Sequence, residues 1–292
     1  MPISAFALVI FAGLIHSLWN IAAKKAGGDA RFACFSSMLQ LLVWAPIGVY
    51  VGWDVVGGWN AWMWAVVAVS GVLHVLYFIV LLRGYRKADL TVVYPLARGT
   101  GPLLSSLVAI AFFGERATIT GLLGIAGVAG GVFLIAGGTG FWRVAHDPVQ
   151  RERLHKGMRY GVLTGVFIAA YTVLDGYAVK MLLLSPILVD YCGNVTRIPL
   201  LLPSVLRDRA AAAALWRQQW KYALIVAAVS PLSYVMVLYA LRVAPLSHVA
   251  PAREVSMLFA ALIGGHLLGE GDRIPRLLGA LCIAAGVIAL AH

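Results

Sequence analysis

The chain has 292 residues, of which 61% are hydrophobic and 12% are charged, and its mean hydropathy is +0.88. Soluble domains carry roughly 25% charged residues, so this composition excludes an ordinary soluble globular protein. A net charge of +11 would suggest nucleic-acid binding in a soluble protein, but in a membrane protein the same charge reports orientation in the bilayer.

Ten apolar segments follow one another along the chain. Each is close to the roughly 20 residues that a transmembrane α-helix needs, and none shows the alternation of barrel strands. They predict an all-α integral membrane protein with ten transmembrane helices. The segments are 3–23, 32–53, 61–82, 90–113, 119–136, 160–179, 187–206, 222–241, 246–268 and 274–291.

Lys and Arg are unequally distributed between the two sets of loops. Loops on the same side as Lys24 contain 17 of these residues, whereas the opposite loops contain only Arg116, Lys180 and Arg242. The positive-inside rule then makes the Lys24 side cytoplasmic and places both termini on the non-cytoplasmic face of a plasma (inner) membrane. Because the basic residues lie in short loops spread along the chain, we expect no nucleic-acid partner.

The chain contains an internal duplication. Residues 98–136 match the residues 155 positions later at 13 of 39 positions. A hydrophilic stretch at 143–159 divides the chain, so we expect a first five-helix repeat at 1–140, a linker at 141–156 and a second repeat at 157–292. Because five is odd, the second repeat enters the membrane in the opposite sense. The sequence therefore predicts two inverted repeats, as in alternating-access transporters.

Arg98 and Arg253 are the leading candidates for a binding site. Each follows a Pro by two or three residues, and Pro loosens a helix by removing a backbone hydrogen bond. Two glycines and a further Pro follow Arg98, which resembles the broken helices of transporters. A guanidinium there could bind a carboxylate or phosphate; the alternative is snorkelling or pairing with a neighbour such as Glu254. We expect the two arginines at opposite ends of a pathway, because the halves insert in opposite senses.

Other polar side chains at membrane depth are candidates because burying them in lipid is costly. Asp190, Asn194 and Arg197 share one helical face. Aromatic and polar residues on other spans could line a cavity or couple transport to protons, and the alternatives are interhelical hydrogen bonds and ordinary packing. We expect ten substrate-binding residues: Arg98, Arg253, His16, Trp19, Asn20, Tyr77, Tyr94, Tyr171, Asp175 and Tyr234.

Several further features favour structural roles. Glu115 and Glu270 lie just past the ends of their spans, where a backbone group or basic loop residue would bind them. A glycine ladder begins at Gly121 and allows close helix packing, within the chain or across a dimer. Four tryptophans are expected at the membrane interface: Trp53, Trp59, Trp62 and Trp64. We find no CxxC, HExxH or nucleophile elbow, so neither an enzyme, a metal site nor a cofactor is expected.

The motifs together resemble a known family. The stretch YPLARGTGPLLSSL followed by FGE, the stretch HSLWNIAAKKAG, and the LLG that opens each fifth span resemble the two EamA repeats of the drug/metabolite transporter superfamily. The resemblance covers residues 3–291. It implies ten spans around a central cavity and secondary transport or export of small metabolites without ATP.

We therefore expect secondary transport of a small polar metabolite by alternating access. Amino acids and other anionic or zwitterionic solutes are the candidate substrates. The first, third, fourth, sixth, eighth and ninth spans would line the cavity, with polar support from the seventh. Flipping of a lipid-linked intermediate and a non-transporting accessory subunit are the alternatives. The expected partners are the substrate and the lipid bilayer, for a monomer or a homodimer.

Overall fold

The computed structural model of the protein describes residues 1–88, 90–135, 148–259 and 273–291, which form helices and turns with no strand. The all-helical architecture is therefore confirmed for this part of the chain. A short 3₁₀ helix (Val56–Gly58) and a helical stretch at 255–259 accompany the α-helices of this part, which are α1 (Ile3–Ala26), α2 (Ala30–Gly52), α3 (Ala61–Lys87), α4 (Leu90–Phe112), α5 (Ile119–Ile135), α6 (Pro148–Lys180), α7 (Pro186–Leu206), α8 (Arg209–Val243), α9 (Leu246–Ala252) and α10 (Arg273–Ala291).

Five helices are long and apolar enough to cross a membrane: α1, α2, α3, most of α6, and α8. Two shorter apolar helices, α5 and the last part of α10, accompany them. The chain is thus a multi-pass membrane protein, and the count of ten spans stays a prediction. With 35 residues, α8 is about 50 Å long and exceeds the hydrocarbon thickness. The predicted linker ends inside α6, because residues 148–156 belong to that helix.

Local sequence signals set several helix ends. Asp29, Asn60 and Asp208 precede α2, α3 and α8, and each side chain accepts a backbone N–H of the first turn at 2.9 Å. These are the short polar residues that satisfy free N–H groups at helix starts. α1 ends at Ala26, and the φ of 62° at the next residue, Gly27, favours glycine.

The helices α5 and α10 pack antiparallel through glycines. A Cβ added to Gly124 would lie 2.9 Å from the carbonyl oxygen of Gly286, and one added to Gly131 would lie 2.5 Å from that of Gly279. The duplication relates Gly124 to Gly279 and Gly131 to Gly286 by the same 155-residue offset. Each contact is therefore the counterpart of the other. The close approach that the glycine ladder predicts lies within the chain.

Other helix contacts repeat in the same reciprocal way. α1 packs on α8 as α3 packs on α6, and α2 packs on α8 as α3 packs on α7. Each helix of the first repeat has a counterpart five helices later in the second repeat. When every helix is replaced by its counterpart, the α1–α8 pair becomes the α3–α6 pair, and the α2–α8 pair becomes the α3–α7 pair. The α2–α7 and α5–α10 contacts convert into themselves. The packing is thus consistent with two similar halves related by a pseudo-twofold axis.

The chain termini lie at one end of the bundle, because the Met1 amino group donates to the carbonyl oxygen of Ala291 at 2.8 Å. The membrane face to which this end belongs stays a prediction. A large apolar cluster fills the same end, and it includes Val9 on α1, Leu188 on α7 and Leu241 on α8. The other half of the bundle contains a cavity among the described residues.

Candidate substrate cavity

A cavity of about 350 Å³ opens between the helices in that other half. Its wall takes residues from the C-terminal half of α1, beginning at Ala12, and from the N-terminal half of α2, ending at Gln40. It therefore lies toward the Lys24 end, opposite the apolar cluster. Nine of the ten predicted site residues line it: His16, Trp19, Asn20, Tyr77, Tyr94, Arg98, Tyr171, Tyr234 and Arg253. The tenth, Asp175, is 1% exposed and accepts a hydrogen bond from the Tyr234 hydroxyl.

The two arginines of the duplicated motif share one carboxylate. The Nη2 atom of Arg98 lies 2.9 Å from Oε2 of Glu254, and Nε of Arg253 lies 3.9 Å from Oε1. Arg98 Nη2 also donates to Oγ of Ser256 at 3.1 Å. Arg253 and Glu254 are buried, at 6% and 1% exposure. The pairing with Glu254 that the sequence left as an alternative is therefore present, and both arginines line the cavity.

The expectation that Arg98 and Arg253 lie at opposite ends of a pathway is wrong. Arg98 is eight residues into α4, which begins at Leu90, and Arg253 is seven residues beyond Leu246, where α9 begins. At 1.5 Å per residue each lies roughly 10–12 Å from its helix start, and half of the hydrocarbon core is about 15 Å. Two helices that start from opposite sides therefore bring their arginines together near the middle.

The helix break also differs from the prediction, because it falls in the second copy of the motif. α4 is continuous through Arg98, whereas α9 ends at Ala252, turns at 253–254 and resumes as helix at 255–259. Pro251 has no N–H to donate to the carbonyl of Ser247 four residues earlier. The hydroxyl of Ser106 on α4 donates to that carbonyl instead, at 3.1 Å. A side chain of the first half thus stabilises the break in the second.

A second ion pair lies on α7, whose polar stripe was predicted. Nη2 of Arg197 is 3.6 Å from Oδ1 of Asp190, and Gln40 Nε2 donates to Oδ2 of Asp190 at 2.8 Å. Asn194 Nδ2 donates to the Ser37 carbonyl on α2 at 2.8 Å. Arg197, Asp190 and Gln40 line the cavity. The sequence reasoning omitted α2 from the wall, although its polar residues within an apolar segment were a signal.

An aromatic group forms another part of the wall. The His74 ring stacks on Tyr171 at 3.9 Å between centroids and meets Tyr234 edge-on at 5.6 Å. Trp19 contacts His16 at 4.8 Å, and its Nε1 donates to Oγ of Ser233 at 3.2 Å. Sequence reasoning missed His74 as a site residue, because a lone His on an apolar span does not show which way it faces. The rings give the cavity flat apolar surfaces beside its charged groups.

Glu115 has the structural role that the sequence predicted. Its carboxylate accepts the backbone N–H groups of Leu246 at 2.7 Å and Ser247 at 2.9 Å, and Lys180 Nζ is 3.5 Å away. Burial raises the pKa of Glu115, but the hydrogen bonds from Ser247 and Leu246 and the charge of Lys180 outweigh it, so its pKa is lowered. Glu115 therefore caps the start of α9. Its duplicate, Glu270, lies outside the described residues.

The four tryptophans assigned to the interface differ in exposure. Trp53, Trp62 and Trp64 are 79%, 58% and 43% exposed, whereas Trp59 is buried against Trp64 at 5.0 Å between ring centroids. Exposed rings at a helix end are typical of an interface belt. Trp59 packs inside the protein instead.

The guanidinium groups retain free donors. The Nε atoms of Arg98, Arg197 and Arg253 are buried and have no hydrogen-bond partner among the residues that the structure describes. Buried polar groups in native proteins are nearly always satisfied, so these three atoms are exceptions. All three arginines line the same cavity. The arrangement can thus receive a negatively charged group.

Comparisons with known proteins agree with this architecture. A solved structure titled "Crystal structure of protein" superposes with a TM-score of 0.73, at 15% identity, over 99% of this chain and 96% of its own. At that identity the likeness concerns the fold alone. Among curated proteins, none matches. A profile described as "EamA-like transporter family" matches residues 155–291. The second half of the chain is therefore similar to the EamA-like transporter family.

Proposed function

We propose that the protein is a secondary transporter that moves a small anionic or zwitterionic metabolite by alternating access. The observation that carries this proposal is the convergence of Arg98, Arg197 and Arg253 on one cavity. Arginine binds carboxylates and phosphates with directed hydrogen bonds. A cavity of about 350 Å³ suits a metabolite of amino-acid size.

The reciprocal packing supports an inverted repeat. The Gly124–Gly286 and Gly131–Gly279 contacts exchange under the duplication and join antiparallel helices. A twofold axis that reverses helix direction runs in the plane of the membrane, which is the symmetry of alternating-access transporters. The same symmetry applied to a cavity at one end generates a second state with the cavity at the other end. We propose that transport exchanges these two states.

The open half is proposed to face the cytoplasm. It lies toward Lys24, and the loops on that side carry 17 Lys and Arg residues against three on the other. By the positive-inside rule that side is cytoplasmic, with both termini on the opposite face of a plasma membrane. A reporter that is active only in the cytoplasm should therefore be silent when fused after His292 and active when inserted between α7 and α8.

The test of function is uptake by proteoliposomes that contain the purified protein. Labelled amino acids and short carboxylates are offered to wild type, Arg98→Ala, Arg253→Ala and the control Arg242→Ala, whose residue is exposed in the last turn of α8. We expect uptake to fall at least tenfold in the first two variants, because the anion loses a charged partner worth about 1.5–3 kcal/mol. Arg242→Ala should transport normally. Unchanged uptake by folded Arg98→Ala and Arg253→Ala would refute the proposal.

A further inference from the structure

The buried charges around the cavity balance one another. With neutral histidines, the described wall and the residues directly behind it carry three cationic and three acidic side chains: Arg98, Arg197, Arg253, Asp175, Asp190 and Glu254. An uncompensated charge is expensive to bury, so a sum near zero is favoured. A solute with one negative charge therefore leaves one negative charge in excess, unless another negative charge disappears when it binds.

The three carboxylates differ in their cationic partners. Glu254 lies 2.9 Å from Nη2 of Arg98, and Asp190 lies 3.6 Å from Nη2 of Arg197. Asp175 has no basic nitrogen at ion-pair distance among the described residues. It lies behind the wall, 1% exposed. Since no cation holds it in the ionised form, Asp175 is the carboxylate that a proton neutralises at the lowest cost.

We infer that Asp175 takes up one proton when the cavity binds a singly charged anion. The inference rests on the proposed transport function and adds the coupling ion to it, because proton and anion then move together. Without a solute, Asp175 completes the charge balance of the three arginines. With a solute, the anion takes that place, and Arg253, whose Nε is 3.9 Å from Glu254, is the arginine left to pair with it.

Tyr234 gives the buried carboxyl group a route to the cavity. Its side chain lines the cavity, and its hydroxyl donates to Oδ2 of Asp175. When a proton from the cavity reaches the hydroxyl oxygen, the original hydroxyl proton can pass to Oδ2. The tyrosine is then unchanged and the aspartate has gained one proton. The same hydrogen bond stabilises ionised Asp175 when no anion is bound, so Tyr234 is both a relay and a positioning residue.

The histidines of the wall are the competing proton acceptors, because histidine titrates near neutral pH. His16 lies on α1 and His74 on α3, and both line the cavity. The other titratable or charged groups that face α6 here are Tyr171 on that helix, Tyr77 on α3, Tyr94 and Arg98 on α4, Asp190 and Arg197 on α7, and Arg253 and Glu254 after α9. A proton on either histidine adds a cation to a wall that already has three arginines, whereas a proton on Asp175 removes an unpaired charge. The proton is therefore assigned to Asp175.

The test measures proton uptake when the purified full-length protein binds two probes of one carbon skeleton. At neutral pH lactate carries one negative charge, whereas alanine is a zwitterion without net charge. In weakly buffered detergent solution with a pH-indicator dye, we expect close to one proton to be taken up per bound lactate at pH 8, and none per bound alanine. Lactate binding without proton uptake, equal uptake with both probes, or binding of neither probe overturns the inference.

The dependence of affinity on pH gives the second measurement. Because binding takes up a proton, the affinity for lactate should rise as the pH falls, by up to about tenfold per pH unit. Asp175→Asn keeps the shape of the protonated side chain but binds no proton. At pH 8 this variant should bind lactate at least about tenfold more tightly than wild type, without proton uptake or pH dependence. The same pH dependence in both proteins would contradict a proton on Asp175.

Three further variants keep the test decisive if Asp175→Asn does not fold. Tyr234→Phe removes the hydrogen bond that stabilises the ionised carboxylate, so Asp175 retains more of its proton without lactate. Fewer protons should then be taken up per bound lactate than in wild type at the same pH. His16→Gln and His74→Gln should retain the wild-type number of protons per bound lactate, whatever their affinity. Unchanged uptake in Tyr234→Phe, or lost uptake in either histidine variant, overturns the inference.

Flux through proteoliposomes separates this inference from the proposed transport function. An inward-directed proton gradient should accumulate lactate in vesicles that contain wild type, but not in vesicles that contain Asp175→Asn. Proton uptake that follows Asp175 in binding, without flux of any probe, keeps the proton site and refutes the transporter. Lactate flux that ignores the proton gradient keeps the transporter and overturns this inference.

Discussion

The contact between α5 and α10 gives a sharp prediction, because adjacent glycines differ completely in their surroundings. A Cβ at Gly131 would lie 2.5 Å from the carbonyl oxygen of Gly279 and 2.7 Å from Cγ1 of Ile283. A Cβ at Gly130 would have no neighbour within 4 Å among the described residues. We compare Gly131→Ala with Gly130→Ala, which makes the same chemical change one residue away.

The expected cost follows from the distances. An ordinary contact begins at 3.4 Å, so Gly131→Ala requires the two helices to separate locally by about 0.9 Å. Overpacking of this kind costs about 1–3 kcal/mol. Both variants gain about 1 kcal/mol of helix propensity from Ala, and this gain cancels in the comparison. Gly131→Ala should therefore be less stable than Gly130→Ala by about 1–3 kcal/mol.

Thermal unfolding in detergent, followed by a thiol-reactive dye, measures this difference through the free cysteines Cys34, Cys192 and Cys282. We expect Gly131→Ala to melt several degrees below Gly130→Ala. Gly279→Ala should melt as low as Gly131→Ala, because its Cβ would lie 2.6 Å from the carbonyl oxygen of Gly131. Equal melting temperatures for Gly130→Ala and Gly131→Ala would refute the close backbone contact.

Three further predictions concern hydrogen bonds and ion pairs. Because the pKa of Glu115 is lowered in the folded state, its stabilisation is present at neutral pH and lost as the pH falls through that value. Glu115→Gln should thus melt below wild type at pH 7, and the difference should vanish in acid; a constant difference would contradict this. Ser106→Ala, which leaves a backbone carbonyl unpaired in the broken helix, should lose about 1–2 kcal/mol in denaturant unfolding. Ser105→Ala, whose hydroxyl bonds only within its own helix, should lose less. Asp190→Asn should lose about 3 kcal/mol by leaving Arg197 without its carboxylate. Replacing both residues with Leu and Met should recover most of it, and no recovery would rule out a charge effect.

Apolar segments predicted the helices well, but not their polar ends. The eighth segment was placed at 222–241, whereas α8 begins at Arg209. A search for membrane spans stops where hydropathy falls. The Ala-rich stretch that follows Asp208 forms helix through its propensity and its cap, neither of which depends on the bilayer.

The sequence identified nine of the residues that line the cavity, but not their arrangement. Arg98 and Arg253 were identified because a charged group at membrane depth is costly to bury and therefore indicates a function or an ion pair. Their meeting at Glu254 depends on the depth of each arginine and on the turn at 253–254. His74 was missed because a single polar residue on an apolar span has no sequence pattern that assigns its face, whereas Gln40 could have been found from the neighbouring Ser36 and Ser37.

The reciprocal glycine contacts set a condition on the ancestry of the chain. A five-helix ancestor with one copy of each glycine builds the Gly124–Gly286 and Gly131–Gly279 contacts only with a second copy inserted upside down. Such an ancestor had to enter the bilayer in both orientations, which requires nearly equal charge on its two sets of loops. The present imbalance of 17 to three is predicted to fix one orientation for the joined halves, so this condition of equal charge no longer applies to the chain.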